Sequence, residues 1–276
     1  NLNVSIIIPV FNAAHYLDKS IESALNQRQT HELLLIDDNS TDNSLEICRK
    51  WEKYDSRVKV FINNGRKGAG AARNVGLQNA ACEFIAFLDA DDFYLSNRFT
   101  TSEDIFKLQP NIDAVAEACI VEGLSSSCGR LIQYNKSNSK IDLKTFLLES
   151  DFSIIGLTLR KHCIQRIGMF NEKLLQAEDT DFLIRLITKC SVISGKLDQI
   201  VSIYNFHNFN TTKKTSESHF HRRNFHKMYL KISMDKFYHV SIVNHFFSRY
   251  LYYDFLVKRN NPDNFTFWDR LSVLPS

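Results

Sequence analysis

The chain has 276 residues, of which 44% are hydrophobic and 24% charged, a balance that fits a soluble globular protein with a sizeable core. It contains no run of about 18 apolar residues, which argues against a transmembrane span, and its net charge of +3 is too small to argue for nucleic acid. Six cysteines are scattered without a C-x-x-C pair and read as free thiols of a cytosolic protein.

The first run, Val4 to Pro9, is β-branched and stops at proline, the pattern of a buried strand. It starts without a charged n-region, so no signal peptide is expected. Leu17, Ile21, Ala24 and Leu25 follow at helical spacing. Leu33 to Ile36 forms the second strand, a polar turn Asp37 to Asp42 comes next, and Leu45, Cys48 and Trp51 mark a second helix. Val58 to Ile62 is the third strand, with a glycine-bearing loop from Gly65 to Gly70 and a helix from Ala71 to Asn79. Phe84 to Leu88 is the fourth. Four strand-then-helix units predict an α/β fold with a parallel sheet and helices on both faces. Further on, a helix is expected from about Leu95 to Leu108, strands from Ala114 to Val121 and Leu131 to Tyr134 as a hairpin, and helices near Leu143 to Ser150, Lys161 to Ile167 and Thr180 to Thr188. Val201 to Tyr204 is a last strand, and Ser216 onward reads as helical.

The most informative stretch is the fourth strand, because it ends in Asp89, Asp91 and Asp92. In an open α/β sheet ligands bind beyond the carboxyl ends of the strands, so these acids face a crevice. The D-x-D spacing of Asp89 and Asp91 offers hard oxygen ligands to Mg²⁺ or Mn²⁺, which would in turn hold a diphosphate. A solvated acidic turn is the alternative. The first two strand ends present Pro9, Phe11, Asp37 and Asp38. One of the two acids is expected to be a turn residue. The other, with Asp38 preferred, would accept a hydrogen from a uracil or a ribose, while the backbone near Pro9 bounds the base. Arg73, on the helix after the glycine loop, either balances nucleotide charge or serves packing. The loop is neither G-x-G-x-x-G nor a P-loop, which disfavours a dinucleotide site. Glu178 and Asp179 open a helix. Acids are favoured there by capping and by the helix dipole, yet a carboxylate so held is also an oriented general base. His207, after the last strand, is either a packing residue or a member of a metal shell begun by Asp91.

Taken in order, VSIIIPVFN (4–12), IDDNSTD (36–42), the segment from Lys67 to Gly76, FLDADD (87–92), Glu178-Asp179 and Tyr204 to His207 resemble the family 2 glycosyltransferases of GT-A fold. The resemblance covers residues 3 to about 212 and includes Ile167 to Glu172. It implies uracil binding at Asp38, a ribose contact at Asp89, a metal on Asp91 and a catalytic base at Asp179. It also implies a metal or diphosphate contact at His207. Asn205 and Asn210 stand where the family often has Arg and Ser. The implied activity is inverting transfer of a hexose or N-acetylhexosamine from a UDP-sugar to a glycan or lipid-linked acceptor, in bacterial surface polysaccharide or lipopolysaccharide synthesis, with Mn²⁺ or Mg²⁺. A sugar-phosphate nucleotidyltransferase and a non-catalytic carbohydrate-binding scaffold are the rival classes.

The glycosyltransferase domain is expected over 1–215, its nucleotide-binding half being 1–95 and its acceptor half 96–215. A helical extension occupies 216–276. From His219 to Arg259 it has eight Lys or Arg against two Asp, interleaved with Phe and Tyr. Such a tail fits peripheral contact with an anionic membrane or packing on the domain or a second subunit. The expected location is the cytoplasm, with the cytoplasmic face of the inner membrane left open, as is a homo-oligomer.

Overall fold

The computed structural model describes residues 2–123, 129–148, 152–207, 216–236 and 238–259. The apolar runs of the first ninety residues form β1 (Val4–Val10), α1 (Leu17–Leu25), β2 (Thr30–Asp37), α2 (Ser44–Tyr54), β3 (Val58–Ile62), α3 (Ala69–Asn79) and β4 (Phe84–Phe87). β1 pairs in parallel with both β2 and β4, and β2 with β3. Residues alternate faces along a strand, yet Val4, Ser5, Ile6, Ile7 and Ile8 of β1 are all buried, so both faces of the sheet are covered. α1 buries the four apolar residues read from the sequence, Leu17, Ile21, Ala24 and Leu25.

α3 packs on β1 and β2 at very short range. A methyl group added at Gly76 would lie 2.4 Å from Cγ2 of Ile7, so glycine sets the distance between helix and sheet. This close seat carries Arg73 and Asn74, which sit on the same helix and are buried.

Beyond β4 the chain departs from the expected helix at Leu95. A short strand, β5 (Phe93–Tyr94), comes first, and the helix α4 (Thr100–Leu108) starts five residues later than expected. The expected strand Ala114 to Val121 is two strands, β6 (Ala114–Ala116) and β7 (Ala118–Gly123), which belong to different sheets. β8 (Leu131–Ile132) pairs antiparallel with β7, as the hairpin predicted, although residues 124–128 of its loop are outside the described ones. Then come α5 (Leu143–Leu148), β9 (Leu157–Arg160), α6 (Cys163–Ile167), α7 (Glu178–Lys189), β10 (Val192–Ser194) and β11 (Ile200–Phe206). The large sheet has the order β10-β6-β9-β4-β1-β2-β3, with β9 antiparallel to both neighbours. The small sheet has the order β5-β11-β7-β8.

Glu117 marks the point where β6 and β7 part. Its carboxylate, 1% exposed, accepts a 2.8 Å bond from the wholly buried Arg98, whose remaining nitrogens donate to the carbonyls of Ile155 and Leu157. Burial pushes the Glu117 carboxyl up to about 7 against the pull of Arg98.

Contacts divide the chain into two units, Asn1–Asn208 and Phe209–Ser276. The expected boundary between 215 and 216 lies outside the described residues, as does Asn210. In the second unit α8 (Ser216–Asp235) and α9 (Val240–Arg259) pack on each other. Tyr229 stacks on Phe246 and His226 on Tyr253, a pairing that requires the helices to run antiparallel. No helix among the described residues is long and apolar enough to cross a membrane.

The tight seat of α3 is testable. Gly76→Ala should destabilise the protein by about 1–3 kcal/mol through overpacking against Ile7, read as a lower denaturant midpoint. An unchanged midpoint would contradict the packing.

Candidate active site

The carboxyl ends of β1, β2 and β4 lie side by side in the sheet, and the chain segments leaving them are stitched together by side chains. After β1, Asn12 adopts a left-handed conformation (φ 49°), and its Oδ1 accepts a 2.8 Å bond from the Thr41 amide in the loop after β2. The Asp38 amide donates to the carbonyl of Val10 at 2.8 Å. Phe11 projects from this rim, 54% exposed, next to Pro9 at the strand end.

The two acids after β2 separate by role. Asp37 closes its own turn, with its carboxylate facing the Ser40 amide at 3.3 Å. Asp38 reaches across the crevice, accepting from Asn63 Nδ2 at 2.6 Å and from the Gly68 amide at 2.7 Å. It thereby fixes the glycine loop that precedes α3, where Gly68 has φ 124°. Each carboxylate oxygen has a second acceptor site, so these bonds leave Asp38 able to receive a ligand's donor.

On α3, Arg73 is buried, and its guanidinium meets Asp89 at 2.6 Å and Glu178 at 2.9 Å. Burial opposes its charge, but these carboxylates, joined by the field of Asp179, outweigh that and raise its pKa. The adjacent Asn74 donates to the Phe170 carbonyl and accepts from the Phe170 amide, at 3.0 and 2.8 Å. α3 thus positions both the D-x-D and the loop leading into α7. The Phe170 ring stacks on Phe182 at 4.2 Å and meets Phe87 of β4 edge-on, which packs α7 against the strand that carries the D-x-D.

The D-x-D itself is a tight turn, with the Asp92 amide donating to the Asp89 carbonyl at 3.0 Å. Asp91 Oδ2 lies 2.9 Å from His207 Nε2, a pair separated by 116 residues of sequence. The imidazole in turn stacks on Tyr16, with ring centroids 4.3 Å apart. Asp92, 1% exposed, accepts the Asn205 amide at 2.8 Å, tying β11 to this turn. Burial first, and then the neighbouring acids Asp91 and Asp89, push the Asp92 carboxyl well above the usual range. Burial and Asp89 also raise Asp91, against the pull of His207.

The donor set fits a hard divalent cation. A carboxylate oxygen and an imidazole nitrogen 2.9 Å apart match two adjacent ligands of an octahedron, which at about 2.1 Å from the ion stand about 3.0 Å apart. Mg²⁺-type sites commonly take only one or two protein ligands and leave the rest to phosphate and water. The mutual repulsion that raises Asp91 and Asp92 is also what a cation would relieve.

α7 begins after Ala177, itself left-handed at φ 61°. Glu178 points to Arg73, and burial, helped by the charge of Asp179, pushes its carboxyl up to about 7 despite Arg73. Asp179 is half-buried and accepts the Thr180 amide at 2.6 Å. The structure therefore gathers Asp89, Arg73, Glu178 and Asp179 into one charged cluster, and Asp91 with His207 into another, both built on the D-x-D turn. Tyr16, Asn63 and Asn74 are members that sequence reasoning missed. Asn74 had a signal, its place beside Arg73, but nothing in the chain pairs Tyr16 with His207.

An open α/β sheet whose strand ends carry this acid constellation belongs to the class of α/β proteins that take their ligands beyond the carboxyl ends of the strands. The family model described as Glycosyl transferase family 2 matches residues 5–116. An uncharacterized glycosyltransferase of Haemophilus influenzae is 37% identical over 174 residues, 62% of this chain and 67% of that protein. The chain belongs to glycosyl transferase family 2. The UDP-Glc:alpha-D-GlcNAc-diphosphoundecaprenol beta-1,3-glucosyltransferase WfgD of Escherichia coli is 46% identical over 96 residues, 34% of this chain and 37% of WfgD. The chain thus spans little more than a third of that relative. The crystal structure of S. aureus TarS 1-349 in complex with UDP-GlcNAc shares the fold, with a TM-score of 0.67 at 18% identity over 97% of this chain and 77% of that one.

Replacing Arg73 by Met leaves the largely buried Glu178 and the partly exposed Asp89 without their counter-charge and should cost about 2–4 kcal/mol, less than a fully buried pair because water reaches Asp89. Adding Glu178→Gln should restore part of the loss. A single variant within about 0.5 kcal/mol of wild type would contradict the bridge. Because the folded pKa of Glu178 lies above its ordinary 4.5, its contribution is fully present below about 4.5 and is lost as pH rises through about 7. Glu117 titrates in the same window, so the difference in unfolding free energy between wild type and Glu178→Gln isolates Glu178. That difference should change between pH 4.5 and 7, and a pH-independent difference would contradict the assignment.

Proposed function

We propose that this chain is an inverting glycosyltransferase. It moves a hexose or N-acetylhexosamine from a UDP-sugar to an acceptor hydroxyl of a glycan or lipid-linked saccharide, in bacterial surface polysaccharide or lipopolysaccharide synthesis. The observation that carries this reading is the meeting of Asp91 and His207 at 2.9 Å beside a second acidic cluster ending in Asp179. Family membership supports the reaction class, and the diphosphoundecaprenol acceptor in the name of WfgD supports the lipid-linked acceptor.

In this reading Asp38 accepts from the uracil, Pro9 and Phe11 bound the base, and Asp89 meets the ribose. Arg73, expected from sequence to balance nucleotide charge, acts instead as a positioning residue, because its guanidinium is buried between Asp89 and Glu178. Glu178 borders the acceptor or the donor sugar. Asp91 and His207 would hold Mn²⁺ or Mg²⁺, which when bound supplies positive charge to the departing diphosphate. Asp179 takes the proton of the acceptor hydroxyl. The oxygen attacks the anomeric carbon on the face opposite UDP, and the bond to the diphosphate breaks with its electron pair leaving on UDP. One displacement inverts the centre and needs no carboxylate nucleophile.

The helical extension suits work at a membrane surface on the cytoplasmic side. Exposed Phe247, Leu251 and Tyr252 of α9, with Phe220 and the exposed Lys227 of α8, provide apolar and cationic groups for an anionic lipid face.

Asp179→Asn should lower turnover by about 10²- to 10⁴-fold while UDP binding, measured by calorimetry, survives. Normal turnover would remove Asp179 from the role of base. Asp91→Ala should abolish Mn²⁺-dependent UDP binding, and an unchanged metal dependence would exclude it from the shell.

A further inference from the structure

A second group of donor atoms lies at the other end of the large sheet. β6 runs parallel to β10 and antiparallel to β9, which is antiparallel to β4, so β6 and β10 begin at the end where β4 begins. Asp113 immediately precedes β6. Cys190 ends α7 just before β10, and His162 and Cys163 follow β9 at the start of α6. None of these residues serves the D-x-D crevice.

One donor atom each from Asp113, His162 and Cys163 lies within 4.8 Å of the other two, with Asp113 Oδ1 and His162 Nε2 only 3.0 Å apart. A single positive nitrogen already stands at the focus of these three donors. Arg166 Nη2 is 2.5 Å from Asp113 Oδ1, 3.3 Å from His162 Nε2 and 3.9 Å from Cys163 Sγ. The Arg166 side chain is 44% exposed, so it can swing into solvent and yield its place to another cation. The second oxygen of Asp113 accepts the Ser191 amide at 2.8 Å, an outer bond that orients the carboxylate as such bonds do around metal ligands. Cys163 and Cys190 are buried, whereas the His162 side chain is 51% exposed and leaves a way in.

One carboxylate oxygen, one imidazole nitrogen and one thiol are the donors of a tetrahedral borderline metal that keeps its fourth position for water, and not of Mg²⁺ or Mn²⁺. We propose that Asp113, His162 and Cys163 form a Zn²⁺ site, remote from the crevice, that ties together the starts of β6 and α6. Binding displaces Arg166 and releases the thiol proton.

The test is titration of the reduced, desalted full chain with Co²⁺ alone, read by its thiolate-to-cobalt charge-transfer absorption. Any ion held by Asp91 and His207 lacks a thiolate ligand and gives no such band. The expected result is one thiolate-bound Co²⁺ per chain, displaced by Zn²⁺. His162→Ala should weaken this binding at least about tenfold, the scale on which even supporting residues of metal sites act, and Arg166→Gln should tighten it. Both substitutions fall on half-exposed side chains, which keeps the fold intact. Absence of the band, or a band unaffected by His162→Ala, would overturn the proposal.

Discussion

One buried cation holds α3, the D-x-D turn and the start of α7 in register. Arg73, with 4% of its side chain exposed, binds Asp89 of the D-x-D turn and Glu178 at the start of α7. Burying a guanidinium is costly, and only close, charge-assisted bonds to carboxylates offset that cost. The bridge therefore works only if α3, β4 and α7 are all in place. Gly76 lets α3 lie against Ile7 of β1, Asn74 grips the backbone of Phe170, and the stacked rings of Phe170 and Phe182 fix α7. Asp179 inherits its position from this chain of contacts.

A second clamp works through Asp92. Its buried carboxylate takes the Asn205 amide and so draws β11 to the D-x-D turn. The residue that follows β11 is His207, which reaches Asp91 and lies on Tyr16. The three acids of one turn thus do three things. Asp89 is held by α3, Asp91 pairs with the imidazole, and Asp92 anchors the strand that delivers it.

The first ninety residues were readable because their information is local. β1 to β4 are short β-branched or leucine-rich runs with turn residues between, and α1 shows its buried face at helical spacing. Beyond Asp92 the decisive interactions are distant. The split of Ala114 to Val121 into strands of two different sheets depends on Glu117 meeting Arg98, and no local pattern announces a buried ion pair. β5, β9 and β10 have two to four residues each, too few for a periodicity to appear. In the site, residue types were legible and partners were not. Arg73 reads either as a ligand contact or as packing, and its partners are two carboxylates of the protein itself. Asp92 reads as one more acid facing the crevice, and its burial and its bond to the Asn205 amide show that it anchors β11. Tyr16 has no sequence signal at all.

In the proposed reaction these clusters together perform a single-displacement transfer from a UDP-sugar. The most direct measurement is to incubate the protein and Mn²⁺ with a panel of α-linked UDP-sugars and lipid-linked saccharide acceptors. UDP release and the anomeric configuration of the product are then read by NMR. UDP release accompanied by a β-linked product is the predicted result. An α-linked product, or no UDP release with any donor, would contradict it.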